Sequence, residues 1–259
     1  NTGGIGTGIG IYTNNEDFRK FSVRFTAEGK ALYSKLPEFF AYMKELLTET
    51  LFEDTNRIRE ILLESKSAME SGYTGMAQRA ALKRATSYFA AFGMAMELTD
   101  GIAYYDFISD ILEHYEERKD EVLEKLSEVY RCIFAKDVLT ISVTADAEGY
   151  EIVEKESKAL VAAFADTAEG TGLVLVPEKK NEGFMTPGQV QYVCCAGNFR
   201  DAGIEYTGAY EVLRTAMSYG YLWNQVRVLG GAYGAAFMAN ENGRMAFYSW
   251  RDPNLSRTM

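Results

Sequence analysis

The sequence predicts an α+β fold of antiparallel-rich sheets with helices packed on one face. Three observations carry that expectation. Period-two apolar alternation opens and closes the chain, long stretches of 3.6-residue apolar periodicity fill its middle, and strands and helices do not alternate strictly as βαβ units require. With 259 residues, 47% of them hydrophobic, the chain is long enough to bury one large core or two modest ones.

The elements follow in order. "GGIGTGIGIYT" (3 to 13) alternates glycine with Ile5, Ile9 and Ile11, which predicts a strand with little bulk on one face. It matches G-x-G-x-x-G in no register, so a dinucleotide fingerprint is excluded. A polar turn around Asn14 and Asn15 leads to a second strand, "KFSVRFTAEG". Leu36, Phe39, Phe40, Met43, Leu46 and Leu47 then form one helical stripe, and Ile58, Ile61, Leu62 and Met69 a second, capped by Asp54 and broken near Gly72 and Gly75. "MAQRAALKRATSYFAAF" continues as helix. A long amphipathic pattern from about Tyr105 to Phe134 follows, with a kink or junction expected near Lys119. "DVLTISVTAD" (137 to 146) reads as a strand with Leu139, Ile141 and Val143 on one face, and "EGYEIVEKESKALVAAFAD" as a helix. "QVQYVCCAGNF" reads as a strand, Thr207 to about Leu229 as a helix, and residues 232 to 252 as a hairpin. Its turn "NENG" offers Asn242 and Gly243 for positive backbone angles. The final "RDPNLSRTM" reads as the start of another helix.

Glycine, proline and charge cluster together between Gly170 and Gly188. This places a linker at 173–187, joining the C-terminal part of one domain (1–172) to the N-terminal part of the next (188–259). The chain is expected to stop inside that second domain.

Composition removes several function classes. The net charge of -10 opposes a phosphate backbone, so no nucleic-acid partner is expected. No apolar run approaches the roughly 20 residues of a membrane span, so no membrane partner is expected either. Cys132, Cys194 and Cys195 cannot all pair, which suits reduced thiols and a cytoplasmic setting, with Cys194 and Cys195 inert in a strand. A lone histidine, His114, rules out a two-histidine metal site within this chain, and its charged helical context predicts an exposed surface residue. No P-loop, H-E-x-x-H, C-x-x-C or G-x-S-x-G occurs.

The remaining candidate site is "RVLGGAYGA" (227 to 235). The bland account is a helix end: Arg227 complements the helix dipole, Gly230 and Gly231 cap the helix, and Tyr233 begins a strand. The functional account is geometric. A short turn brings a permanently charged guanidinium and a phenol to one point, where they suit a peptide carbonyl or the oxyanion made from it. The glycines, Gly230, Gly231 and Gly234, let a substrate backbone come close.

"YLWNQVRVLGGAYGAAFMANENGRMAFYSWRDPNLSRTM" closely resembles the C-terminal half of the pitrilysin/insulinase family of zinc peptidases, in particular its presequence protease branch. "NTGGIG", "ESKSAMESGYTGMAQRAA", "GIAYYDFISDILE", "TADAEG" and "TPGQVQYVCCAGNF" look like landmarks of the same half, in the same order. The resemblance implies a parent enzyme of two halves, each of two related α+β domains, closing around an unfolded peptide. It implies catalytic zinc in the parent, bound through H-x-x-E-H in the N-terminal half, and no zinc in this segment, which lacks that motif. It also implies that Arg227 and Tyr233 reach across to the substrate from this half. The competing expectation is a non-catalytic peptide-binding or scaffold member of the same family.

Overall fold

The computed structural model describes residues 2–14, 16, 17, 19–170, 172 and 174–258. Of the expected features, Asn15 of the first turn, Leu173 at the start of the linker and Met259 lie outside the described residues. The architecture is α+β, with antiparallel sheets packed against helices.

The element order begins with β1 (Thr2–Thr13) and β2 (Phe21–Ala31), paired as a two-stranded sheet. Six helices follow: α1 (Leu36–Thr48), α2 (Thr55–Gly75), α3 (Ala77–Ser87), α4 (Ala91–Asp100), α5 (Ile102–Glu113) and α6 (Tyr115–Ile133). After α7 (Ala147–Ala162) come β3 (Gln191–Asn198), α8 (Ala209–Thr215), a π-helix (Ala216–Val228), β4 (Gly234–Ala239) and β5 (Arg244–Asp252). The second sheet has the order β3-β5-β4, both pairs antiparallel.

The chain forms two compact units interleaved along the sequence. One comprises residues 1–10, 24–60 and 114–173. Its core joins Phe39, Met43 and Leu47 of α1 to Leu160 and Phe164, with Ile5, Phe134 and Leu139 packed around them. The spacing of the α1 residues puts them on one face, and Pro37 in the first turn supplies a preset helical φ. Asp146 starts α7 by accepting the Gly149 N–H at 2.9 Å.

The other unit comprises residues 11–23, 61–113 and 174–259. Here α3 packs on β3 and β5, α4 on α3, and the π-helix on β4. Phe199, Leu222, Ala235, Phe237 and Ala239 form its apolar core.

Several expectations are corrected. Residues 139 to 146 pair with no strand among the described residues, and Ile141 is exposed rather than sharing a buried face with Leu139. Apolar alternation there fits an extended segment, but a strand also needs a neighbour, which periodicity does not supply. The junction in the long amphipathic stretch falls at His114, between α5 and α6, while Lys119 lies inside α6, ion-paired to Glu116 at 3.0 Å. Only Gly243 of "NENG" has a positive φ, 86°, because the turn closes through Gly243 N–H to Asn240 O and leaves Asn242 in an ordinary conformation. The last described residues form a turn, not a helix, tied by Thr258 Oγ1 to the Asp252 carboxylate at 2.8 Å. The helix expected from Thr207 starts at Ala209 and changes from α to π geometry at Ala216.

Candidate active-site cleft

The site begins with the end of the π-helix. Its i→i+5 bonding is visible where Leu229 N–H reaches Asn224 O at 3.0 Å. The chain then reverses at Gly231, whose φ of 83° suits glycine, and Gly231 N–H returns to Arg227 O at 2.9 Å. Gly230 lies so close to the helix that a Cβ would sit 2.5 Å from Val226 O, and Asn254 Nδ2 pins its carbonyl at 2.6 Å. Each glycine thus has a local reason of its own. Gly234 has another: it opens β4 opposite Trp250, and a Cβ there would meet the indole at 2.2 Å.

This reversal brings Arg227 and Tyr233 together. An Arg227 Nη1–H donates to the carbonyl oxygen of Tyr233, and the guanidinium carbon lies 5.3 Å from the centre of the phenol ring. Tyr233 stands immediately before β4, one residue earlier than a strand position, with its N–H on Arg251 O at 3.2 Å. Its hydroxyl takes no part in these contacts, and the residue is 60% exposed.

Two neighbours were not singled out by sequence reasoning. Trp223 lies four residues before Arg227, and its ring sits 4.4 Å from the guanidinium. The i, i+4 spacing was the available signal. Arg251 places its guanidinium carbon 5.6 Å from the Tyr233 ring centre. The register that sets Gly234 opposite Trp250 foreshadows that contact, but it is a sheet property, not a local motif.

These groups line a cleft of about 370 Å³, walled by Tyr219, Trp223 and Arg227 of the π-helix and by Tyr233, Phe237 and Trp250. It is aromatic and carries cations, and it can receive an extended backbone with carbonyls facing N–H donors.

Elsewhere, burial pushes the Cys194 thiol up to about 12, so it stays protonated and unreactive, while Cys195 is exposed. All three cysteines are free. His114 is exposed at the α5–α6 junction. Among the described residues no three of His, Cys, Asp and Glu gather to hold a metal, and no helix is long and apolar enough to cross a membrane.

Comparison with known proteins places the chain in context. Residues 1–111 match the family model described as peptidase M16 subfamily C associated, and residues 181–259 match that of the PreP C-terminal domain. Protein HypA of Clostridium perfringens is 33% identical over the whole chain, which covers 26% of that protein. Presequence protease 1, chloroplastic/mitochondrial, of Arabidopsis thaliana is 29% identical over 91% of the chain and 22% of its own length. The mitochondrial presequence protease of Yarrowia lipolytica is 24% identical over the whole chain and 27% of its own length. The chain therefore spans about a quarter of the curated relatives it matches. With two family models along most of its length and presequence proteases aligned along it, the chain belongs to the M16 subfamily C peptidases and is a C-terminal segment of one.

Proposed function

We propose that this chain is the non-zinc-binding part of a zinc-dependent metalloendopeptidase that degrades unfolded oligopeptides, and that Arg227 and Tyr233 orient and stabilise the substrate carbonyl at the scissile bond. The observation that supports this reading is their convergence at the mouth of an open aromatic cleft. Arg227 spends one N–H on the Tyr233 carbonyl, which fixes the guanidinium and leaves other donors for a ligand. Tyr233 offers a hydroxyl in the same place. Two donors held in advance where negative charge develops on a carbonyl oxygen are what an acyl-transfer site needs.

The described residues provide no set of metal ligands, so zinc is assigned to the N-terminal half of the same polypeptide, where it would activate water. That half is the proposed partner, and this segment by itself is inactive. In the same proposal this segment closes the chamber, with Gly230, Gly231 and Gly234 letting the peptide backbone approach. The linker at 173–187 then joins two related family domains, and the three free thiols favour a cytoplasmic location.

Full-length enzyme carrying Arg227→Ala or Tyr233→Phe tests the reading. Tyr233→Phe keeps the ring and the carbonyl that holds Arg227, so it isolates the hydroxyl. Turnover is expected to fall at least about tenfold in each, on the scale of a lost oxyanion donor. Wild-type rates in both would remove the catalytic assignment and leave a peptide-binding scaffold as the function of this half.

A further inference from the structure

The cleft carries a cation that the carbonyl-stabilising role does not use. Arg251 sits at the end of β5 with its guanidinium carbon 5.6 Å from the Tyr233 ring centre, while Arg227 approaches the same ring at 5.3 Å. Two arginines thus share one phenol in a chain whose net charge is -10. Among the described residues neither is ion-paired. The neighbouring basic residue of the cleft, Arg214, is already answered by Glu211 at 2.8 Å. Asp252, next in sequence to Arg251, is fully buried, and its carboxylate is taken by Ser249 Oγ, the Asn254 N–H and Thr258 Oγ1. Arg251 therefore presents an exposed guanidinium with no carboxylate of its own.

Its backbone is unusual as well. Arg251 is the sole non-glycine residue with a positive φ among the described residues, at 48°, in a conformation that glycine would adopt at lower cost. Both sides of that conformation are anchored: its carbonyl accepts the Tyr233 N–H, and Asp252 beyond it is held by three hydrogen bonds. The side chain thus leaves a fixed point toward the ring, which reduces the ordering cost of binding.

The geometry points to Arg251 as a specificity-determining residue that takes a carboxylate of the bound peptide, one phenol ring away from Arg227. The planar fork matches a carboxylate in bidentate fashion, and the aromatic wall shields the pair from water. The carboxylate is either an acidic side chain or the C-terminus of the peptide. This inference rests on the peptide-cleaving reading of the cleft and adds a substrate preference to it.

The test measures kcat/KM of the full-length enzyme on two matched peptide pairs, one exchanging an internal Asp for Asn, the other a free C-terminus for an amide. Arg251→Gly removes the side chain while easing the backbone, so misfolding is not built into the variant. It is expected to lower kcat/KM about tenfold, through KM, for the carboxylate-bearing member of one pair, and to leave the neutral member within about twofold. The responding pair identifies the source of the carboxylate. Arg251→Lys, which keeps the charge and loses the fork, should retain part of the preference. Equal losses on both members of each pair, or no loss on any peptide, would overturn the inference. Failure of the catalytic reading looks different: Arg227→Ala would then turn over the neutral peptides at the wild-type rate whatever Arg251 does.

Discussion

Arg84 and Arg227 belong to the same compact unit, and their surroundings are opposites. Arg84 of α3 is saturated. It donates to both oxygens of Glu182, at 2.8 and 3.2 Å, and to Glu97 at 3.1 Å, with the Tyr88 hydroxyl also on Glu182 and the Phe184 ring 5.6 Å away. Glu97 is almost fully buried and also accepts the N–H groups of Ile102 and Ala103 at the start of α5. Arg227 meets one carbonyl and two aromatic faces. A guanidinium whose donors end on carboxylates holds α3, α4 and the 174–187 segment together. One whose donors are left over beside an open cleft is available to a ligand.

The contrast can be broken from the saturated side first. Arg84→Ala leaves Glu97 as a buried carboxylate without its cation. Breaking such a pair costs about 3 to 5 kcal/mol, and the two remaining backbone donors put this case near the lower bound. Urea unfolding should show that loss, while turnover per folded full-length molecule stays unchanged. A loss of turnover with unchanged stability would make Arg84 a functional residue and dissolve the comparison. Arg227→Ala should do the reverse: the tenfold or larger fall in turnover described above, with a stability change within about 1 kcal/mol.

A pH effect sharpens the same contrast. Hydrogen bonds from Arg84, then from Tyr88, hold the Glu182 carboxyl below its ordinary value of 4.5. A carboxyl lowered by folding contributes stability that is complete above its unfolded value and is lost as pH falls through the folded one. Limited proteolysis with an acid-active protease should therefore begin to cut the 174–187 segment only below about pH 4.5. Glu182→Gln should give the same cleavage at neutral pH. Protection of that variant at neutral pH would show that something other than this carboxylate secures the segment. The smallest effect belongs to Trp223→Leu. Loss of one cation–π contact at a partly exposed site is worth about 0.5 to 2 kcal/mol. It should appear as a modest fall in turnover through a looser Arg227, with little change in unfolding.

What sequence alone made legible was whatever is decided locally. The α1 stripe, the Asp54 and Asp146 caps and the glycine reversal after Arg227 are written within one or two turns of chain, and each is found in the structure. Residues 139 to 146 misled because a strand is made by its neighbour. Arg227 and Tyr233 were legible as a pair because six residues with two glycines between them form one tight turn. Arg251 was not legible, because its approach to Tyr233 comes from the pairing of β4 with β5. The partners of Arg84 were hidden for a related reason: Glu182 is 98 residues away along the chain.

The π geometry of Ala216–Val228 bears on how this segment tolerates changes in length. A π-helix holds one more residue in each hydrogen-bonded turn than an α-helix. Removing a single residue between Ala216 and Leu222 offers the backbone ordinary α bonding, and the deletion is expected to be absorbed without unfolding. The residues beyond it would turn by about 100° against those before it. Leu222 would leave the core or Arg227 would leave Tyr233, so in this element the number of residues matters to the cleft as much as their identity.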